Sequence, residues 1–418
     1  MTIRDRALGA WYGQLIGDNL GALVEFRRPG EIAAAYPDGV REMADGGTHN
    51  IAAGQPTDDS EMALALARSL VRNGGYDRAD VLASYRRWYD SHPFDIGATI
   101  SGALRGQFNE NSQANGALTR TSPVAIAYHS DPATAASLAR TDAALTHPNS
   151  YCLDVNAVWT GVLAGVIRDG ADPMELFRNY GCEGLADDEP GDTVTQEGWV
   201  RHAFTLTVHE ASRGDSFEEA LVRTIGRGGD TDTNAAIVGA FLGGVHGVSG
   251  IPQRWRDAID TCRPIRNRPA EYHPNDAAEL VDMLLKVNAG RVELLLIPAW
   301  SAAEIHAGRT ELQPMLDSAP YDRAAVRTVA ASGDFQIVDG HVRMADVPSP
   351  GTWFPQREPT LVASWSLPVT VTEELLADAA VPVPLAIGSL VQVHRQGHRS
   401  LATRLGPPAL TIADTDIR

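Results

Sequence analysis

Lysine is all but missing from this chain: Lys286 is the only one in 418 residues, so nearly every basic side chain is an arginine. With alanine and glycine abundant, we read that bias as the codon usage of a GC-rich genome rather than as function. Positive charge is short overall, and a net charge of −18 argues against a general nucleic-acid binder, whose phosphate affinity comes from Lys and Arg. Cysteine is sparse too. Cys152, Cys182 and Cys262 show no metal-ligand spacing, and an odd, low count fits a reducing cytoplasm with each thiol a small core residue. The chain also lacks an uncharged apolar run of ~18 residues, as a membrane span needs. Its opening MTIRDRALGAWYGQ lacks the apolar core of a signal peptide. These absences lead us to expect a cytoplasmic protein with no membrane association.

What is present is ordinary in bulk and unusual in detail. A hydrophobic content of 44% suits a globular protein, and the length suits one large domain plus a smaller one. Up to about residue 290, stretches such as EMALALARSLV and ADVLASYRRWYDS place apolar residues at three- and four-residue spacing, the period of a helix. Gly, Pro and Asn clusters punctuate them. Beyond that point the character changes. DFQIVDGHVRM carries two apolar-rich runs around Asp339-Gly340, a hairpin signal, and TLVASWSLPVTVT favours strand residues. We therefore expect a mainly α domain over 1–290 and a smaller α+β domain of unknown role over 291–418, without a chemical motif of its own.

Two acidic clusters carry the chemistry. GQPTDDSEMALALARSL puts Thr57 at a helix cap position with Asp58 and Asp59 in the first turn. GGDTDTNAAIVGAFLGGVHG puts Asp230 and Asp232 behind the glycine pair Gly228 and Gly229, ahead of small residues that imply close packing. Either cluster alone is equally well read as acidic residues complementing a helix dipole and its free N–H groups. Together they say more, because four carboxylates in one place repel unless cations neutralise them. All-oxygen donors with no His or Cys nearby in sequence suit a hard ion such as Mg²⁺, Mn²⁺ or Ca²⁺, and two ions ~3.5–4 Å apart use this many carboxylates. A calcium EF-hand loop starting at Asp230 fails: Ala235 stands where Gly is needed and Phe241 where Glu is needed.

At this point the chain resembles the ADP-ribosylglycohydrolases. GAWYGQLIGDNLGALVEF is similar to the family's opening helix, with Asn19 in place of the usual Ala. GQPTDDSEMAL resembles its first metal motif, FDIGATI a D-I-G-x-T segment, and NGALTRTSPVAI an N-G-x-x-M-R-x-x-P stretch with Thr119 departing from Met. LTHP matches a further short element, and GGDTDTNAAIVGA the second metal motif. The match runs from about residue 7 to 255.

The resemblance implies an orthogonally packed all-α fold with a binuclear Mg²⁺ or Mn²⁺ centre whose ligands are Thr57, Asp58, Asp59, Asp230, Asp232 and Thr233. It implies hydrolysis at the anomeric carbon of an ADP-ribosyl group, with Asp58 or Asp59 taking a proton from water. Glu25, otherwise a surface glutamate at a helix end, becomes a gate or acid–base group. Asp95 becomes a partner for the guanidinium of an ADP-ribosylated arginine. Asn115, Gly116, Gly228 and Gly229 become contacts to ribose or pyrophosphate, and His147 keeps an open role. The expected partner is an ADP-ribosylated protein, most simply on arginine. O-acetyl-ADP-ribose, ADP-ribosyl-serine or another conjugate is the alternative within the class, and a non-catalytic ADP-ribose reader the alternative outside it.

Overall fold

The computed structural model describes residues 1–182 and 190–287 and, in the remainder, the backbone of seven β-strands between Val292 and Asp416. The chain divides into two units, Met1–Asn288 and Ala289–Arg418. Described residues of the first unit form α1 (Ile3–Ala22), α2 (Pro29–Ala35), α3 (Asp58–Asn73), α4 (Arg78–Asp90), α5 (Ala98–Leu104), α6 (Ser122–Ala127), α7 (Pro132–Ala143), α8 (Ser150–Asp169), α9 (Pro173–Arg178), α10 (Val200–Arg213), α11 (Phe217–Gly226), α12 (Thr231–His246), α13 (Gln253–Thr261) and α14 (Ala277–Leu284). They include no β-strand, only two isolated bridges, Gly46 with Ile51 and Ala114 with Trp199. The expectation of an all-α domain is met.

In the second unit the described elements are β1 (Val292–Leu296), β2 (Phe335–Val338), β3 (His341–Met344), β4 (Leu361–Trp365), β5 (Leu390–Gln396), β6 (Arg399–Leu405) and β7 (Thr415–Asp416). All pairings are antiparallel: β1 with β4, β2 with β3, and β5 with β6 with β7. Val338 lies opposite His341, the register expected for strands flanking Asp339-Gly340, which itself lies outside the described residues. So does any helix of the expected α+β unit.

At the centre of the first unit, α1 and α12 run antiparallel with their backbones in contact. Glycines at four-residue spacing line one face of α1, and a Cβ added at Gly9 would lie 2.0 Å from the Gly243 carbonyl oxygen, at Gly13 2.1 Å from that of Gly239, and at Gly17 2.0 Å from that of Ala235. This explains the small residues behind the second acidic cluster: no larger side chain fits the seam. Both helices are enclosed on all sides, so their sequences show little amphipathic period. Thr2 starts α1, its hydroxyl accepting from the Asp5 N–H at 3.1 Å. α8 ends at Gly170 in the left-handed region, the usual glycine stop. Among the described residues α8 alone has the length and hydropathy to cross a membrane; it lies 67% buried, as a core helix does. Around this centre pack the large side chains of Trp11, Trp88, Trp159, Trp255 and Phe241.

Candidate active site

The site is built on two helix starts aimed at one place. α3 begins at Thr57, whose hydroxyl does not cap its own helix. The usual capping bond is made instead from α1: Asp18 accepts from the Ser60 N–H at 3.1 Å and from the Thr57 N–H at 3.1 and 3.2 Å. Next to it Asn19 holds the loop leading into α3, donating to the Ala52 and Gln55 carbonyls and accepting from the Gly54 N–H. The departure from Ala at position 19 thus has a visible purpose. α12 begins at Asp230, whose side chain also leaves its helix uncapped and accepts instead from Asn115 Nδ2 at 2.6 Å. Asp232 Oδ1 takes the Thr233 N–H at 2.9 Å. Before this helix, Gly228 and Gly229 have φ of 72° and 78°. Cβ atoms there would meet the carbonyl oxygens of Arg27 and Thr193, so the close approach these glycines allow in the structure is to the chain's own backbone.

The clusters meet. Asp59 feels the charge of Asp230 and Asp232 that of Asp59, which joins the α12 start to the α3 start. Burial, followed by the charges of Asp95, Asp59 and Asp18, pushes Asp58 well above the carboxylate range. Asp59 moves the same way through burial and the charges of Asp18 and Asp230, and Asp232 through burial and the charges of Glu25, Asp59 and Asp230. Asp230 is raised by burial against the hydrogen bond from Asn115. Burial lifts Asp18 to about 6. None of the ion pairs among the described residues reaches Asp58, Asp59, Asp230 or Asp232. The buried Thr57 Oγ1 and Asp59 Oδ2 have no hydrogen-bond partner. Buried, crowded carboxylates with unspent oxygens fit a cation, and these residue types fit a hard one.

Glu25 is buried here rather than lying at the surface. Its carboxylate is 2.5 Å from His49 Nε2, and Asp95 Oδ2 is 3.3 Å from the same nitrogen. Ligand atoms of Glu25, His49, Asp95 and Asp232 all lie within 4.8 Å of one another. Burial pushes the Glu25 carboxyl up to about 7, the His49 hydrogen bond pulling the other way and Asp95 adding to the rise. Burial opposes a charged His49, but its bond to Glu25 and the charges of Asp95, Glu25 and Asp18 outweigh it, and its pKa is raised. His49 comes from the loop ahead of α3 and adds a nitrogen beside these oxygens, close in space to groups far from it in sequence. Asp58 Oδ2 accepts from the Gly97 N–H at 3.2 Å, which brings the Asp95 loop to the same edge.

Asn115 is held from behind, its N–H donating to the Gly198 carbonyl at 3.0 Å. Beside it a cleft of about 730 Å³ is lined by Asn111, Gln113, Ala114, Gln196, Glu197, Gly198 and Trp199. Burial, then Asp230, raises Glu197. Sequence reasoning missed this cleft, and it missed Asp18 and His49. The G-D pair inside the opening helix was the available signal for Asp18; nothing marked the others. His147 lies buried beneath the Asn115–Gly116 turn, its Cε1 3.8 Å from where a Gly116 Cβ would stand. Burial and Arg120 lower it to about 3.

Fold and site together define an all-α hydrolase with a carboxylate-lined centre. The family model for ADP-ribosylglycohydrolase matches residues 1–291, and the chain belongs to that family, whose enzymes hydrolyse ADP-ribosyl bonds. It is 33% identical over 278 residues to the ADP-ribosyl-dinitrogen reductase glycohydrolase of Rhodospirillum rubrum, covering 62% of this chain and 92% of that one. It is 26% identical to the ADP-ribosylarginine hydrolase Tri1 of Pseudomonas putida, over 67% of this chain and 80% of the relative. A solved ADP-ribosylglycohydrolase-related protein complex superposes with a TM-score of 0.57 at 28% identity, covering 68% of this chain and 98% of its own.

Proposed function

We propose that residues 1–290 form a metal-dependent hydrolase that releases ADP-ribose from a modified arginine side chain in the cytoplasm. The observation supporting this most directly is the convergence of the two helix starts, where Asp59 feels the charge of Asp230 and Asp232 that of Asp59, with Thr57 Oγ1 and Asp59 Oδ2 left unspent. Thr57, Asp58, Asp59, Asp230, Asp232 and Thr233 are the residues that would hold two Mg²⁺ or Mn²⁺ ions. When bound, such ions supply Lewis-acid stabilisation and a more acidic water. The remaining work falls to the chain itself. Glu25, with a pKa near 7, holds or releases a proton at neutral pH as a general acid–base group must; Asp58 or Asp59 is the alternative proton acceptor. Asp95, a quarter exposed at the rim, offers a carboxylate to a guanidinium. Asn115 and Gly116 would border the sugar, and the glycine turn at Gly228–Gly229 would set the start of α12 beside it. The cleft beside Asn115 has the volume for the nucleotide portion.

The test is incubation of the purified chain with ADP-ribosyl-arginine, ADP-ribosyl-serine and O-acetyl-ADP-ribose, with Mg²⁺ or Mn²⁺ and then with chelator. Cleavage of the arginine conjugate that chelator abolishes is expected, and Asp58→Ala or Asp232→Ala should lower metal occupancy. Binding of ADP-ribose without cleavage of any conjugate would instead make the protein a reader.

A further inference from the structure

His49 is tied to the Glu25 turn by more than one bond. The Thr48 N–H donates to the Ala22 carbonyl at 3.0 Å, the Thr48 hydroxyl donates to the Glu25 carbonyl at 3.0 Å, and His49 Nε2 sits 2.5 Å from the Glu25 carboxylate. Immediately after Glu25 the backbone turns through Phe26 at φ 64°, an uncommon conformation for a phenylalanine. The Glu25 side chain therefore depends on neighbours for its place. The ring of His49 is itself braced: it rests against Phe94 with ring centroids 5.7 Å apart, and the His49 carbonyl accepts from Arg266 Nη1 at 2.6 Å while that guanidinium lies over Phe94. Nitrogen Nε2 faces two carboxylate oxygens, Glu25 at 2.5 Å and Asp95 at 3.3 Å. The contact with Glu25 is the hydrogen bond, while Asp95 faces the same ring nitrogen as a charge and not as a second bonded acceptor. A ring that carries the Nε2 proton is therefore drawn by two carboxylates at once.

We propose that His49 is a positioning residue that holds Glu25 in the site and couples its placement to the occupancy of Asp95. When a cationic group of the substrate engages Asp95, the second charge facing the ring is neutralised and His49 is left to Glu25 alone, which fixes the acid–base carboxylate at the moment the leaving group is seated. This rests on the roles given above to Glu25 and Asp95, and it deepens them: the side of the substrate that is recognised sets the geometry of the side that reacts.

Two readouts on the full chain test it. In the first, His49→Ala should lower kcat on ADP-ribosyl-arginine by ~10–100-fold, the usual cost of removing a partner that orients a site residue, with KM changed less than about 3-fold. His49→Gln, whose side-chain N–H reaches in the same direction, should recover most of that loss. An unchanged kcat in His49→Ala, or equal losses in the Ala and Gln variants, would overturn the proposal. The second readout needs no turnover. With ¹⁵N-labelled histidine, the His49 Nε2 proton, assigned by its loss in His49→Gln, should resonate far downfield and shift in Asp95→Asn. No such proton, or one indifferent to Asp95, would overturn the coupling even in an active enzyme. A chain that hydrolyses nothing yet shows the Asp95-dependent shift would support the coupling and fault the hydrolase reading instead.

Discussion

The starts of α3 and α12 look alike in sequence, each a threonine and paired aspartates ahead of a tightly packed helix, yet they are held in different ways. α3 is held by a polar contact: Asp18 of α1 reaches across and takes the Ser60 N–H that the Thr57 side chain would ordinarily take. α12 is held by its backbone, pressed against α1 along the glycine seam, while Asp232 serves the Thr233 N–H locally. The outcome is common to both. In each, the capping work is done by another group, so the side chain in the cap position is turned away from its own helix, Thr57 with its hydroxyl unspent and Asp230 towards Asn115. One helix, α1, is the reference for both, through Asp18 towards α3 and through Gly9, Gly13 and Gly17 towards α12.

The largest effect should come from breaking the seam. Gly13→Val places side-chain atoms where a Cβ alone would already stand 2.1 Å from the Gly239 carbonyl oxygen. Overpacking a rigid core costs ~1–3 kcal/mol and more when the obstacle is backbone, so we expect at least ~3 kcal/mol of destabilisation, seen as an early chemical-denaturation midpoint or as insoluble protein. A soluble variant with the unmutated midpoint and full activity would show that α12 is not located by this seam.

Next comes the polar anchor. Asp18→Ala leaves the Thr57 and Ser60 N–H groups without their acceptor, at a cost of ~1–2 kcal/mol for a lost cap. The Thr57–Asp59 segment then loses its fixed direction, and metal affinity by calorimetry should fall ~10–100-fold. Asp18→Asn keeps one acceptor oxygen and relieves a buried charge, so it should lose less. Should both variants bind metal as the unmutated chain does, the contrast between the two starts would have no consequence for the site.

How much of this was legible beforehand follows the same division. The two aspartate pairs were legible because doubling is rare where single acidic caps are common, and the small residues after Asp232 announced a close contact without naming its partner. Asp18 was marked only by the G-D pair of the opening helix, which gave no role; the packing of α1 against the α3 start supplies it. His49 was hidden. Its partners Glu25 and Asp95 stand 24 and 46 residues away, and no spacing rule joins three loops. Glu25 was placed near the site by resemblance alone, because its burial depends on those same loops.

A smaller effect is expected at the side-chain support of α12. Asn115→Ala removes the donor to Asp230 and leaves that carboxylate short of a partner. A hydrogen bond to a charged group is worth ~1.5–3 kcal/mol when deleted from a buried site, and the burial and crowding that raise the Asp230 pKa let it relax towards its neutral form, so the change should sit at the low end. We expect a drop of about 10-fold in kcat/KM, corresponding to ~1.4 kcal/mol, with the thermal midpoint nearly unmoved. A large fall in thermal stability with unchanged kcat/KM would assign Asn115 to the scaffold rather than to the site.

The smallest effect is one of pH, and it separates the two helix starts. His147 is buried, its Nδ1 shares a hydrogen bond with Thr146 Oγ1 at 2.8 Å and its Nε2 has no partner. Burial and the nearby Arg120 lower its pKa to about 3 in the folded chain, against about 6.5 when unfolded. Below about 6.5 the unfolded chain therefore binds a proton that the folded chain refuses. The neutral histidine's contribution is complete above that pH and is lost as pH falls through the window towards 3, at ~1.4 kcal/mol per unit once well inside it. By pH 6 the loss should be about 1 kcal/mol, while at pH 7.5 it should be absent. Urea unfolding of the unmutated chain and of His147→Gln at pH 7.5, 6.5 and 6 should give two stability lines that converge as pH falls, because the glutamine carries no such linkage. Since His147 underlies the Asn115–Gly116 turn that supports Asp230, the amide protection factor at that turn, corrected for the slower intrinsic exchange in acid, should fall with acid before that at Ser60 does. Parallel stability lines, or equal loss of protection at both places, would mean that His147 gives the α12 side of the site no support that the α3 side lacks.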